Sequence, residues 1–116
     1  MAQAQHFLGR LPQARTNFGE ALELALEAGD LASVTVALGP LSNLEGDAGD
    51  HDRAVRLWAA CEKIRQRIGG GAPVEVMRVS DPCPAAALAI GEDAVKRAWA
   101  EGWAMSPKQA VRYAAQ

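Results

Sequence analysis

Apolar residues recur every three or four positions in three stretches of the chain, the spacing that places them on one side of an α-helix. The stretches cover residues 11–25, 31–44 and 54–68. Gly29 follows the first and a run of glycines from Gly69 follows the third, and glycine is favoured just beyond the last turn of a helix. The pattern predicts three successive antiparallel helices. Pro40 lies inside the second, where we expect a bend.

Part of this pattern repeats at an interval of forty residues. The matched positions are Gly9 with Gly49, Gly29 with Gly69, Ala14 with Ala54, and Phe18 with Trp58. A fixed period in this range is typical of stacked helical repeats. The repeat predicts that each unit is a helix following a glycine turn. Residues 2–8 would then be the end of an earlier helix that stops at Gly9.

The C-terminal third contains further helix signals. The prolines at the end of segment 74–84 interrupt any helix there, and a new helix is expected near Pro82 with Asp81 as its cap. Ser106 precedes a proline and stands three positions before Gln109, the spacing of a capping box. A final helix is therefore predicted from residue 107 onward.

Composition favours helices throughout. The chain has 24 Ala and 11 Leu against 8 Val and 3 Ile, and alanine and leucine lose the least conformational freedom in a helix. Its formal net charge is −2, without the basic excess of a nucleic-acid module. It has neither a long apolar run nor a signal peptide. We expect an all-α, cytoplasmic protein that binds neither nucleic acid nor membranes.

Several motifs resemble the tetratricopeptide repeat. The motifs Ala14-x3-Phe18-x2-Ala21 and Ala54-x3-Trp58-x2-Cys61 are similar to the second helix of that repeat, and Leu38-Gly39 is similar to a pair in its first helix. Under this resemblance Gly46-Asp47 is the turn, and the next three residues duplicate it.

The C-terminal half resembles the end of large bacterial ATP-binding regulators of the LuxR/MalT-like and SARP-like type. The similar segments are 56–65, 68–69, 90–95, 98–102, 105–107 and 109–110. The resemblance implies that the chain is the C-terminal part of a longer regulator whose nucleotide site and DNA-binding domain lie outside these residues. The family usually has a long helix where segment 74–84 contains its prolines.

These observations predict one domain of tetratricopeptide-like antiparallel hairpins, an α-solenoid fragment with a short helical C-terminal cap. Residues 1–29 would form a partial first hairpin, 30–69 a second hairpin, and 70–116 a loop and the cap. The expected function is a non-catalytic scaffold that binds a protein or peptide, as part of a bacterial signalling or transcriptional regulator. The alternative is a small-molecule sensor, with an apolar pocket beside segment 74–84.

Candidate binding residues follow from the helix placement. The resemblance puts the groove-facing positions at Ser33, Val36, Pro40 and Asn43. Trp99 and Trp103 lie four apart on one face of a predicted helix from Glu92 to Trp103, either as an exposed partner-binding pair or packed against the final helix. Because the partial first hairpin leaves the apolar face of residues 11–25 short of cover, we expect a two-fold homodimer through the N-terminal helices.

The remaining polar and sulfur-containing residues suggest no catalytic group, metal site or cofactor. The densest polar cluster consists of Glu45, Asp47, Asp50, His51 and Asp52, and it is interpreted as a solvated turn in which Asp50 or Asp52 caps the next helix. Its spacing is not that of a calcium loop. Cys61 is expected to be buried and Cys83 exposed, without a disulfide.

Overall fold

A computed structural model describes residues 2–70 and 79–116, with side chains from Leu11 onward, and within these residues it contains six α-helices and no strand. The helices are α1 (Ala2–Glu27), α2 (Leu31–Asp47), α3 (His51–Arg67), α4 (Cys83–Ile90), α5 (Glu92–Trp103) and α6 (Pro107–Ala115). The prediction of an all-α protein is confirmed. None of the described helices combines the length and the apolar character that crossing a bilayer requires.

The first three helices end in the same way, at intervals of twenty residues. Gly29, Gly49 and Gly69 have φ of 70°, 93° and 85°, the left-handed region that glycine enters without steric cost. Each donates its N–H to the carbonyl three residues back, and the following residue donates to the carbonyl five residues back. This is the Schellman pattern, which satisfies the last carbonyls of a helix. The repeated structural unit is therefore one helix with its turn.

The expected turn at Gly9 is wrong, because α1 continues through Gly9 and Pro12 to Glu27. The difference lies in the residue that follows the glycine. Gly29 and Gly49 are followed by aspartates whose carboxylates accept the N–H of Ser33 and Arg53 and so cap the next helix. Arg10, which follows Gly9, offers no such acceptor.

The turn expected at Gly46-Asp47 is also displaced. Helix α2 continues to Asp47, and the chain reverses at Gly49. Gly46 lies instead at the contact with α3, where a Cβ built on it would be 3.5 Å from the Cβ of Ala54. Helix α2 also passes through Pro40 without ending.

Helices α2 and α3 form an antiparallel pair. The Ser42 hydroxyl donates to the carbonyl of Ala54 at 2.7 Å, and the Cys61 thiol lies 3.6 Å from the carbonyl of Thr35. The later position on α3 contacts the earlier position on α2, so the two helices run in opposite directions. The main core lies between α1, α2, α3 and α6. Its fully buried large side chains include Leu22, Leu38, Leu41 and Leu57.

The C-terminal helices pack on the outside of this layer. Val55 of α3, Ala86 of α4 and Ala98 of α5 form a second, smaller core. Helix α6 returns to α1 and contributes Ala110, Val111 and Ala114 to the main core.

Of the two predicted caps of the C-terminal helices, only the second is present. Helix α4 begins at Cys83, close to the predicted start, but its N-cap residue is Pro82, which supplies no side-chain cap. Asp81 stands one position earlier, and its carboxylate accepts the backbone N–H of Cys83 at 2.8 Å. Ser106 and Gln109 form the complete capping box at the start of α6. Residues 74–78 of the segment expected to be irregular lie outside the described residues.

Candidate functional site

The four positions predicted to face a groove lie on one face of α2. Ser33 is exposed, Val36 is 50% exposed, and Pro40 and Asn43 are half-buried. Two of them already have partners within the chain. The Ser33 hydroxyl donates to Asp30 at 2.6 Å and lowers the pKa of that carboxyl. Val36 and Pro40 are the apolar part of this face.

Asn43 is engaged in holding the chain that follows segment 71–78. Its side-chain amide donates to the carbonyl of Ser80 at 2.8 Å and accepts the N–H of Ser80 at 2.9 Å. The side-chain amide thus pairs with both backbone groups of Ser80, as the backbone of an adjacent β-strand does in a sheet. One N–H and one lone pair of the amide are thus used within the chain, and the role of Asn43 in a binding groove stays a prediction.

Trp99 and Trp103 stack on each other on α5. Their ring centroids are 5.9 Å apart with an interplanar angle of 20°, and both side chains are half-buried. Trp99 also packs against the smaller core. The two rings face the last turns of α3, where Glu62, Lys63 and Gln66 complete a cleft of ≈ 510 Å³. The neighbours of the pair are therefore on α3, rather than on the final helix as one of the two interpretations expected.

Gly102 explains how α5 comes so near to α3. A Cβ built on Gly102 would lie 2.8 Å from the Cα and 2.9 Å from the carbonyl carbon of Arg56, and nearer still to the Arg56 carbonyl oxygen. No side chain fits between these two backbones. The Arg56 guanidinium also donates to Glu101 at 2.6 Å and to the Tyr113 hydroxyl at 3.4 Å. The tyrosine hydroxyl and the glutamate together raise the pKa of Arg56 above its ordinary value.

A second cleft of ≈ 230 Å³ continues from the first. Lys63 and Ala104 line both clefts, and the second adds Arg67 of α3 and Met105 at the start of the α5–α6 turn. We call the two together the tryptophan groove, defined by Lys63, Arg67, Trp99, Trp103, Ala104 and Met105. It runs along the last two turns of α3 and is open to solvent.

Glu45 does not belong to a solvated turn. Its side chain is fully buried, and its carboxylate accepts hydrogen bonds from Arg15 of α1, at 2.7 and 3.0 Å, and from Arg53 of α3. The acidic residues that follow it in sequence, Asp47 and Asp50, are exposed, whereas Glu45 belongs to the protein interior. The helical spacing was the informative signal, because Glu45 stands four positions after Leu41 and seven after Leu38, on the buried face of α2.

Arg53 extends this network to the end of the chain. Its guanidinium donates to the carbonyls of Tyr113 and Ala114 at 3.1 and 2.8 Å, and it lies 4.9 Å from the centre of the Tyr113 ring. Carbonyls in the last turn of a helix lack partners within the helix and favour a positive charge. One glutamate and two arginines thus connect α1, α2, α3 and α6.

The two cysteine thiols have pKa values above the ordinary range. Burial raises the pKa of Cys61 to about 12, and burial together with Asp81 raises the pKa of the half-buried Cys83 to about 12. Neither thiol is activated as a nucleophile would be. Both cysteines are free. Residues 2–70 and 79–116 contain no group of three or more His, Cys, Asp and Glu side chains that would hold a metal ion.

The pocket that a small-molecule sensor would need was expected beside segment 74–84. Of that segment, residues 80–82 line a cleft of ≈ 190 Å³ together with Asn43, Asp47 and His51. This cleft is small and largely polar, whereas ligand pockets are typically about 300–1,000 Å³ and mostly apolar.

Comparison with known proteins gives matches to regulators. The chain is 31% identical over 111 residues to proteins of Mycobacterium bovis and of two strains of Mycobacterium tuberculosis. Their names give HTH-type transcriptional regulator as an inferred role. Each match covers 87% of this chain and 12% of the relative, so the chain spans a small part of their length. No family model matches the chain, and no solved structure matches it significantly.

Proposed function

We propose that the chain is a non-catalytic, tetratricopeptide-like scaffold that binds a protein or peptide as part of a bacterial transcriptional regulator. The observation that carries this proposal is the exposure of Val36, which is 50% exposed near Pro40 on α2, a helix packed against both α1 and α3. An apolar patch on a helix held between two neighbours is a rigid surface for a docking segment.

The matches support the regulator part of the proposal. They cover 87% of this chain and reach proteins named as transcriptional regulators, in agreement with the resemblance found in the C-terminal half. In such a regulator we expect this region to bind a protein or peptide, and DNA binding to belong to other parts of the longer protein. We place the protein in the cytoplasm on the same ground.

We further propose that the chain forms a two-fold dimer through α1. Leu24 of α1 is 67% exposed, whereas Phe18 on the same helix packs in part against the main core. The dimer predicts twice the monomer mass by light scattering, and Leu24→Glu should return the mass to that of one chain. A monomer at high concentration would contradict it.

Peptide recognition by α2 is tested by selecting random 16-residue peptides displayed on phage against the 116-residue chain. Among the peptides enriched on the unmodified chain, a set should lose at least about fivefold in affinity with Val36→Glu. Leu88→Glu is the control, since it also replaces an exposed aliphatic residue by glutamate, at a 92% exposed leucine on α4. Failure to enrich any peptide that binds Val36→Glu more weakly than Leu88→Glu would refute the proposal.

A further inference from the structure

The tryptophan groove combines an apolar floor with unneutralised positive charge on one wall. Trp99, Trp103 and Met105 supply the floor and are all half-buried. Lys63 and Arg67, four residues apart on the same face of α3, supply the wall. Among the described residues neither cation forms an ion pair.

Two acidic residues of the described chain lie at the groove, Glu62 in its lining and Glu101 beside Met105, and each has an arginine partner. Glu62 lies 3.8 Å from Arg65, and Glu101 is bound by Arg56 at 2.6 Å. Among the residues that the structure describes, these pairs leave Lys63 and Arg67 as net positive charge at the groove. The start of α6 lines the same groove and adds the partial positive charge of a helix N-terminus.

We propose that this groove binds an acidic, amphipathic peptide segment of a partner protein. A large apolar side chain of the segment lies against the stacked tryptophans, and carboxylates one helical turn away lie opposite Lys63 and Arg67. The inference deepens the proposed function by assigning it a second contact surface with its own partner chemistry.

The shape of the groove favours a peptide over a small amphiphilic acid. The two clefts follow one another along α3 and are both open to solvent. A small ligand generally needs a pocket that encloses most of its surface. A peptide laid along the surface needs only an apolar anchor and matching charge, and tryptophan is a frequent anchor of such contacts.

The test uses phage selection of 16-residue peptides on the Val36→Glu chain, in which the α2 face is blocked. Enriched peptides should share an aromatic residue or leucine with Asp or Glu three or four positions away. Their affinity, measured by fluorescence anisotropy, should fall about tenfold with Lys63→Glu and Arg67→Glu together, and should fall with added salt.

The control is Lys96→Glu with Arg97→Glu, which makes the same change of charge at two exposed residues of α5 outside the groove. Circular dichroism shows whether each variant is folded. Binding should also change the tryptophan emission, because Trp58 is 5% exposed and the other two tryptophans line the groove.

The outcomes separate this inference from the proposed function. Peptides that bind the unmodified chain through Val36, with none enriched on Val36→Glu, would overturn the groove and leave the scaffold intact. Enriched peptides without acidic residues, or equal loss in both charge-reversal variants, would also overturn it. Decanoate, used as a small-molecule probe, should not compete; displacement of the peptide by decanoate at comparable concentration would show a small-acid site instead.

Discussion

Replacing Gly102 by alanine should destabilise the protein, although alanine is the better helix former. The added Cβ would lie within 3 Å of three backbone atoms of Arg56. Backbone atoms in the middle of a helix cannot rotate away, so α5 must move off α3. Overpacking of this kind typically costs about 1–3 kcal/mol, and the gain in helix propensity recovers up to about 1 kcal/mol.

Gly19 provides the matched control. It also lies inside a helix, α1, but a Cβ built there would meet nothing within 4 Å. Gly19→Ala should therefore gain the propensity term alone, about 0.5–1 kcal/mol. The same chemical change is thus predicted to have opposite signs at two helical glycines.

Urea denaturation of both variants, followed by circular dichroism and tryptophan emission, measures these differences. Because all three close contacts are with backbone, we expect the upper part of the overpacking cost, so that Gly102→Ala lowers the free energy of unfolding by about 1–2 kcal/mol after the gain in helix propensity. It should also alter the emission of Trp99 and Trp103 in the folded state. A Gly102→Ala protein as stable as the unmodified chain would show that α3 and α5 are not in backbone contact. A destabilised Gly19→Ala would refute the open space assigned to that position.

Four further measurements test the core and the caps. Removing the buried carboxylate by Glu45→Ala should cost about 3–5 kcal/mol, because Arg53 loses its charged partner, and Glu45→Leu with Arg53→Met should recover part of the loss in a double-mutant cycle. Since burial raises the pKa of Cys61 and Cys83 to about 12, a disulfide reagent at pH 8 should modify them slowly in the folded protein and rapidly in urea. The same raised pKa values predict stability that is full below pH 9 and declines as pH rises toward 12, because the unfolded thiols ionise first. Ser106→Ala should cost about 1 kcal/mol by removing the cap of α6, measured by thermal unfolding.

Local signals in the sequence were sufficient for most of the helices. The helix from Glu92 to Trp103 and the capping box at Ser106 are found as predicted. A cap depends on residues within three positions of each other, so the sequence contains all the information that determines it. The turn expected at Gly9 is absent because a turn of this kind needs both a glycine and a capping residue after it, and Arg10 cannot act as that cap.

Features that depend on packing could not be predicted from local patterns. The interpretation of Glu45 as solvated followed its acidic neighbours in sequence, whereas its environment consists of arginines 30 residues before it and 8 residues after it. The close approach at Gly102 likewise depends on the backbone of Arg56, which belongs to another helix. In the candidate site, the spacing of four residues is enough to place Trp99 and Trp103 next to each other on α5. The sequence does not show that α3 is the helix that faces them, because that depends on tertiary packing.

The buried charges fix α6 against the three-helix layer. Helices α1, α2 and α3 follow one another with the same termination at intervals of twenty residues. Arg53, itself held by Glu45, binds the last carbonyls of α6 and fixes that helix against the three-helix layer, where it covers apolar surface of α1 and α3. The exposed Leu24 of α1 lies outside the main core, so it is the apolar side chain that the proposed dimer would have to cover.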